Sequence, residues 1–348
     1  MNPYVLMILL SSLGLGTTLT FTSSHWLLAW MGLEINTLAI TPLMAQHHHP
    51  RAVEATTKYF LTQATAAAMI LFASTTNAWL TGEWDITNLT NPMANTMFMI
   101  ALALKMGLAP MHFWLPEVLQ GLDLTTGLIL STWQKLAPVA LILQTSQNMN
   151  PLLLTILGIS SALIGGWGGL NQTQLRKIMA YSSIAHMGWM VIILQYAPQL
   201  TLLALSIYIL MTSAAFLTLK LSDATNISTL ATTWSKSPIL TSTMALVLLS
   251  LGGLPPLTGF MSKWLILQEL AKQDLPLTAT LMALTALISL YFYLRLCYAM
   301  TLTISPNTSG STAPWRSPTA QNSLLLALST TAALGLLPMT PALLMLIT

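Results

Sequence analysis

The chain has 348 residues, with 12 Lys and Arg, 9 Asp and Glu, and a formal net charge of +3. Hydrophobic residues make up 54% of it and charged residues only 6%, against roughly 25% charged residues in an ordinary globular domain. So few charges cannot cover a soluble surface, and they form no basic patch for a nucleic acid. The composition therefore excludes a soluble enzyme and a nucleic-acid-binding protein, and it predicts a protein embedded in a lipid bilayer.

Long apolar runs predict the membrane crossings. A bilayer core about 30 Å thick needs roughly 20 apolar residues per helix, and runs of that length predict an all-α polytopic membrane protein with about eleven transmembrane helices. The first five cover residues 3–21, 25–45, 55–80, 95–120 and 125–145, and the other six cover 151–169, 176–195, 199–221, 238–272, 276–301 and 322–346. The whole chain, 1–348, is expected to form a single membrane domain.

Two of these helices are expected to break inside the membrane. The fourth contains Pro110 and Pro116, and the ninth is interrupted by Gly252-Gly253 and Pro255-Pro256. Proline removes a backbone donor and clashes with the preceding helical turn. Helices one to five and six to ten form two sets with the broken helix in matching position, which is typical of repeat-built transporters. We expect five-helix repeats over 1–145 and 150–302, followed by a surface loop and a terminal helix over 303–348.

Four charged residues lie deep within apolar runs or next to a break: Glu34, Lys105, Lys135 and Lys263. An ionised side chain at the bilayer centre costs at least ~2.5–3.5 kcal/mol. Buried ion pairs that only hold helices together are one explanation. A single glutamate cannot neutralise three lysines, however, so a functional role is favoured for this set.

Proton transfer is the chemistry that buried amines can offer. Burial lowers the pKa of an amine by up to roughly 3–5 units, which brings it within reach of neutral pH. A carboxylate about 4 Å away favours the charged form, so forming and breaking such a contact can load and release a proton. Glu34 and Lys105 are the candidate pair. His112, seven residues after Lys105, and His186 are further candidates for the proton path, although either can equally be a packed core residue.

The basic residues predict the orientation of the chain. When successive loops are assigned to alternate sides, the side of the N-terminus receives seven basic residues: Arg51, Lys58, Arg176, Lys177, Lys220, Lys236 and Arg316. The other side receives Lys272 together with Glu83, Asp85, Glu269 and Asp274. Basic loops stay on the side of synthesis, so the N-terminus is expected there and the C-terminus opposite.

Metal and cofactor sites are not expected on this chain. The single cysteine, Cys297, excludes Cys-ligated iron–sulfur clusters and Cys-rich zinc sites. His47, His48 and His49 are adjacent in a loop, where three neighbouring side chains cannot easily converge on one ion. The prediction is therefore no metal site and no bound cofactor.

Three segments resemble the signatures of the proton-translocating, antiporter-like membrane subunits of respiratory complex I. They are ALALKMGLAPMHFWLPEVLQGL, LRKIMAYSSIAHMGWM and LSLGGLPPLTGFMSKW. The resemblance extends over the whole chain and implies two inverted five-helix repeats. The family usually has fourteen helices, so eleven would mean that the first three are missing.

The resemblance also implies residue roles. Glu34 resembles the glutamate that pairs with the lysine of the first broken helix, here Lys105. Lys135 resembles the next, bridging lysine, and Lys263 resembles the group nearest the exit. His112 and His186 match positions that line the hydrated central axis.

The resemblance further implies the partners and the location. FMN, iron–sulfur clusters and ubiquinone are expected on other subunits, and the partners are hydrophobic core and accessory subunits and lipids such as cardiolipin, with no nucleic acid. The location is the inner mitochondrial membrane, with the N-terminus in the matrix and the C-terminus towards the intermembrane space. A free-standing cation/proton antiporter and a purely structural membrane scaffold remain as alternatives.

Overall fold

The computed structural model describes residues 2–46, 48–235, 237–302 and 323–347. Within these ranges the regular structure is helical, apart from two isolated β-bridges. The helices of the first half are α1 (Pro3–Thr22), α2 (Trp26–Met44), α3 (Pro50–Thr81), α4 (Pro92–Met106), α5 (Trp114–Gly121), α6 (Leu124–Thr145) and α7 (Pro151–Gly169). Those of the second half are α8 (Leu175–Ile193), α9 (Pro198–Ser222), α10 (Ile227–Ala231), α11 (Pro238–Gly252), α12 (Thr258–Lys272), α13 (Pro276–Thr301), α14 (Leu324–Gly335) and α15 (Thr340–Ile347).

Proline marks the start of many helices. Seven helices of the described chain begin at a proline: α1, α3, α4, α7, α9, α11 and α13. At this position a backbone N–H would have no acceptor within the helix, so the N–H that proline lacks costs no hydrogen bond. Before three of them, the side chains of Asn2, His49 and Asn91 accept a hydrogen bond from a backbone N–H of the first turn. The sequence therefore encodes these helix starts locally.

Six of the described helices are long and apolar enough to cross a membrane: α1, α2, α6, α7, α9 and α13. The predicted fourth and ninth spans are each divided into two helices, and α4 and α11 have only 15 residues. Such a helix extends about 22 Å, less than a bilayer core. The all-helical prediction is thus confirmed, whereas the count of eleven crossings stays a prediction.

The last predicted span is not a single straight helix. α14 ends at Gly335, a short 3-10 helix covers Leu337–Met339, and α15 follows with a bend of 69° between the two α-helices. Gly335 favours a helix end and Pro338 cannot donate a hydrogen bond to the preceding turn. The span expected over 322–346 is therefore a bent pair of helices, and residues 303–322 of the predicted surface loop lie outside the described part of the chain.

The chain divides into two compact units, residues 1–161 and 162–348. In the first unit α2 packs against α1 and α3, α3 packs against α4 and α5, and α6 contacts α1, α2 and α4. Small residues let α1 and α2 approach closely, because a Cβ added at Gly16 would lie only 2.8 Å from the carbonyl oxygen of Gly32. α4 therefore packs against both α3 and α6.

In the second unit α9 is the central helix. It packs against α8, α11, α12 and α14, while α13 contacts α8, α11 and α12. The first residue of α12, Thr258, is buried in this core, and its hydroxyl donates to the carbonyl of Ala333. The second broken helix is therefore enclosed on several sides.

Candidate functional site

The first helix break lies directly after Lys105. Lys105 is in the last turn of α4, and Gly107 ends the helix in the left-handed conformation with φ +73°. Residues 107–113 are not helical, and α5 begins at Trp114. The Trp114 indole N–H donates to the carbonyl of Leu104 at 2.9 Å, which also accepts from the backbone N–H of Gly107 at 3.2 Å. The break is thus stabilised by its own sequence.

The three lysines singled out from the sequence are all buried. Lys105, Lys135 and Lys263 are exposed by only 6%, 3% and 8%. Each lies on an apolar helix, α4, α6 and α12 respectively. Buried lysine is rare in proteins because desolvation of the ammonium is costly. Their burial is consistent with the depth inferred from the sequence.

Lys105 and Lys135 line the same small cavity in the first unit. The cavity has a volume of about 20 Å³, which is enough for one water molecule. Its wall carries the polar side chains of Asn36, Thr37, Tyr59, Gln63 and Gln134. The structure therefore brings together two of the predicted residues and surrounds them with groups that can donate and accept hydrogen bonds.

The Lys105 ammonium has no hydrogen-bond partner among the described residues, although it is buried. Glu34 lies on α2, is half-buried, and accepts a hydrogen bond from the Thr37 hydroxyl at 3.2 Å. Glu34 acts electrostatically on Lys105, but the ion pairs found within the described ranges do not include this pair. The two residues therefore interact electrostatically but form no hydrogen bond or ion pair with each other.

The second helix break holds Lys263 in a different way. α11 ends at Gly252, Gly253 has φ +82°, and α12 begins at Thr258. The Lys263 ammonium donates to the carbonyl oxygen of Gly252 at 2.8 Å. This carbonyl belongs to the C-terminal end of α11, where the helix dipole is negative.

Both candidate histidines are buried. His112 lies inside the non-helical break, with Nδ1 3.3 Å from the carbonyl of Pro110 and its ring 4.4 Å from Phe113. Because residues 107–113 are not helical, the seven-residue spacing from Lys105 does not place His112 on the face of that lysine. His186 lies on α8 with its ring 5.6 Å from that of Tyr208.

Sequence reasoning missed the uncharged polar residues of the cavity. Gln134 on α6 donates from Nε2 to the carbonyl of Asn36 on α2 at 3.2 Å. The amide atoms of Asn36 are buried and have no hydrogen-bond partner in the described structure. An amide inside an apolar helix costs free energy unless it is hydrogen-bonded, so Asn36, Gln63 and Gln134 could have been identified by the same logic as the charges.

The histidine cluster gives no metal centre in the described ranges. No group of three His, Cys, Asp or Glu side chains within them is placed to hold a metal ion. His49 caps the start of α3, since its Nδ1 accepts from the backbone N–H of Arg51 at 3.3 Å. His47 lies outside the described residues.

Buried lysines beside interrupted apolar helices define a polytopic membrane protein of the antiporter-like class. The family described as "NADH:quinone oxidoreductase/Mrp antiporter, TM" matches residues 23–289, and "NADH dehydrogenase subunit 2 C-terminus" matches residues 290–344. The chain therefore belongs to this family, in its NADH-ubiquinone oxidoreductase chain 2 branch.

Relatives of that name match the full length of the chain. The NADH-ubiquinone oxidoreductase chain 2 of Carassius auratus is 84% identical, and that of Danio rerio is 76% identical, each over 100% of both chains. Among solved structures, a chain of respiratory complex I from Thermus thermophilus, solved with bound aureothin, is 29% identical with a TM-score of 0.86. The match covers 99% of this chain and 80% of that one.

A more distant structure shares the fold alone. A chain of the Mrp complex from Dietzia sp. has a TM-score of 0.83 at 16% identity, over 97% of this chain and 76% of that one. The predicted resemblance to antiporter-like membrane subunits is confirmed by the family matches.

Proposed function

We propose that this chain is a proton-translocating subunit of the membrane arm of respiratory complex I. Electron transfer from NADH to ubiquinone in other subunits drives the translocation, and this chain performs no redox chemistry. The observation that carries the proposal is the burial of Lys105, Lys135 and Lys263 in apolar helices, two of them beside helix breaks. The full-length relatives named NADH-ubiquinone oxidoreductase chain 2 support the assignment.

The proton path proposed here uses Glu34, Lys105, Lys135 and Lys263, with His112 and His186 as additional relays. The shared cavity supports the step between Lys105 and Lys135, since both lysines and several side-chain amides line it and it is large enough for one water molecule. Glu34 modulates Lys105 through its charge. Lys263, held by a backbone carbonyl, is the group nearest the exit.

The proposed architecture has eleven crossings arranged as two inverted five-helix repeats, over 1–145 and 150–302, with a further segment over 303–348. Beyond the six apolar helices already described, the other crossings are α3, α8, the divided pairs α4–α5 and α11–α12, and the bent pair α14–α15. The left-handed glycines Gly107 and Gly253, each ending the first half of a divided helix, support the repeat.

The proposed location is the inner mitochondrial membrane, with the N-terminus in the matrix and the C-terminus towards the intermembrane space. The asymmetry of basic residues supports this orientation. Of the seven basic residues assigned to the matrix side, Lys236 and Arg316 lie outside the described part of the chain. FMN, iron–sulfur clusters and ubiquinone are placed on other subunits, and the partners are the other core and accessory subunits and lipids such as cardiolipin.

The proposal is tested with Lys105→Met and Lys263→Met in the assembled complex. Methionine keeps an unbranched apolar side chain and removes the titratable amine. We expect both variants to lower the number of protons translocated per electron pair, measured in proteoliposomes, while the complex assembles on native gels.

Exposed lysines provide the controls. Lys58→Met removes a side chain that is 42% exposed, and Lys220→Met removes an exposed lysine in the last turn of α9. Both controls should keep the normal stoichiometry. Full assembly with normal pumping in Lys105→Met and Lys263→Met would contradict the proton path and favour the scaffold alternative.

The free-standing antiporter is distinguished by reconstitution. The purified chain alone, placed in vesicles with a pH gradient and Na⁺ or K⁺, should not exchange cations for protons. Sustained exchange by the isolated chain, absent from Lys263→Met, would favour the antiporter alternative.

A further inference from the structure

The guanidinium of Arg295 lies near one end of α13. Arg295 is six residues before the last residue of the helix, Thr301, or about 9 Å along the axis. Its side chain is half-buried, and Nη1 donates to the carbonyl of Leu170 at 2.6 Å. Arginine has five N–H donors in a planar fork, so this single bond leaves most of them available.

Arg295 has no Asp or Glu ion-pair partner in the described part of the chain. The chain contains nine acidic residues, all of them within the described ranges, and none forms an ion pair with Arg295 there. The segment 303–322, which follows α13, contains no Asp or Glu. The positive charge of Arg295 is therefore available to interact with an anionic group of another molecule.

Arg295 stands at the polar end of a groove of about 770 Å³ in the second unit. Asn171, next to the carbonyl that Arg295 contacts, lies at the same end, and Leu287, Ile288 and Tyr291 form the remaining wall. Residues 287, 291 and 295 follow one another at four-residue spacing, so they share one face of α13. The groove thus runs from a cationic end along an apolar helix face.

The apolar side chains that form the wall of the groove are exposed. Leu287 and Tyr291 are 63% and 61% exposed, and Leu284, one turn further along, is 59% exposed. In a membrane-spanning helix such a face meets acyl chains or another protein, and tyrosine is typical of the level of the lipid headgroups. The long side chain of Arg295 can extend along the helix so that its guanidinium also lies at the level of the lipid headgroups.

We propose that this groove binds an anionic phospholipid. Arg295 and Asn171 hold the phosphate, Tyr291 lies beside the headgroup, and an acyl chain follows Leu287 and Leu284 along α13. Phosphate matches the planar guanidinium fork with two parallel hydrogen bonds. Lys177 follows Asn171 by six residues and adds positive charge at the start of α8, which favours an anionic lipid over a zwitterionic one.

A lipid fits this face better than a peptide. A partner protein with a carboxylate could neutralise Arg295, but the groove places its single cation at one end and leaves the rest apolar, as a headgroup with an acyl chain requires. The proposal deepens the lipid partnership in the proposed function and rests on it for membrane insertion, but it is independent of the proton path.

The test uses the assembled complex in its native membrane and two probes that share a photoactivatable acyl chain, a phosphatidylglycerol and a phosphatidylcholine. After irradiation, adducts are mapped by mass spectrometry. We expect the anionic probe to label the 284–295 segment several-fold more strongly, since the choline cation is repelled by the guanidinium. An excess of unlabelled phosphatidylglycerol should suppress the labelling, and phosphatidylcholine should not.

Arg295→Gln should reduce labelling by phosphatidylglycerol to the level of phosphatidylcholine, while Lys220→Gln, which removes one exposed charge elsewhere in the same unit, should leave the preference intact. Equal labelling by both probes, protection by both lipids, or an α13 segment that cross-links to protein and not to lipid would overturn the proposal. The competition experiment on the unmodified complex decides the matter even if Arg295→Gln does not assemble.

Discussion

Lys263 and Gly252 are joined across the second helix break by a hydrogen bond of 2.8 Å from the ammonium to the carbonyl oxygen. Gly252 is the last residue of α11, so the amine interacts with the negative end of a helix dipole. Lys105, at the first break, has no such hydrogen bond. The two lysines therefore both lie next to a helix break, but their surroundings differ. The ammonium of Lys263 is hydrogen-bonded to a backbone carbonyl, whereas that of Lys105 interacts electrostatically with the carboxylate of Glu34.

Gly253→Ala is expected to disturb Lys263. Gly253 has φ +82°, and an added Cβ would lie 3.0 Å from the Lys263 Nζ and 2.9 Å from its Cδ. The left-handed conformation costs an L-residue ~1–2 kcal/mol, and the contact forces the amine away from the Gly252 carbonyl. We expect fewer protons translocated per electron pair, together with a lower thermal stability of the complex.

Gly252→Ala is the matched control for Gly253→Ala. Its Cβ would meet Tyr293 at 3.6 Å, an ordinary contact, and its backbone is helical. Pumping should stay near normal in this variant. Equal pumping in the two alanine variants would show that the position of Lys263 does not depend on Gly253.

Gly259→Ala is expected to impair assembly. A Cβ at Gly259 would lie 1.7 Å from the carbonyl oxygen of Ser250, so α11 and α12 would have to separate. Overpacking typically costs ~1–3 kcal/mol, and we expect the upper end of that range, measured as a lower yield of intact complex on native gels. Gly335→Ala, with nothing within 4 Å of its Cβ, should assemble normally; equal yields would show that the helix pair tolerates the added group.

The sequence predicts the helix breaks because glycine and proline act together there. Gly107 and Gly253 adopt positive φ, which ends each helix, and the prolines that follow prevent it from continuing. Proline alone does not decide the outcome, since Pro42 and Pro138 lie inside α2 and α6 without interrupting them. Pattern reading of proline alone would have predicted too many breaks.

The geometry of the site was less predictable than the burial of its residues. Apolar context predicts that Lys105 and Lys135 are buried, but their common cavity depends on how α2, α3, α4 and α6 pack, and helix packing is not encoded in local spacing. His112 illustrates the limit, because helical periodicity is meaningless across residues 107–113, which form no helix. Whether Glu34 contacts Lys105 directly likewise depends on how α2 packs relative to α4, which the sequence does not give.

Glu34→Gln is expected to reduce pumping without loss of assembly. The amide keeps the size of the side chain and can still accept from Thr37, whose hydroxyl lies 3.2 Å from Glu34 Oε2. Only the negative charge that acts on Lys105 is removed. Thr41→Val is the control, since it removes a hydroxyl on the same helix that does not line the cavity and retains the carboxylate of Glu34. A normal proton stoichiometry in Glu34→Gln would exclude a role of this charge in the path.

Gln63→Leu is expected to separate stability from function. Gln63 is buried and lines the cavity shared by Lys105 and Lys135, where a water molecule needs two to four polar partners. Leucine has a similar size and removes an amide whose burial is costly, so thermal stability should be unchanged or higher while the rate of proton translocation falls. Gln144→Leu, at an exposed position whose Nε2 donates to the carbonyl of Phe21 at 3.3 Å, should leave the pumping rate unchanged. A Gln63→Leu complex that pumps at the normal rate would mean that protons pass Lys105 and Lys135 without help from the cavity wall.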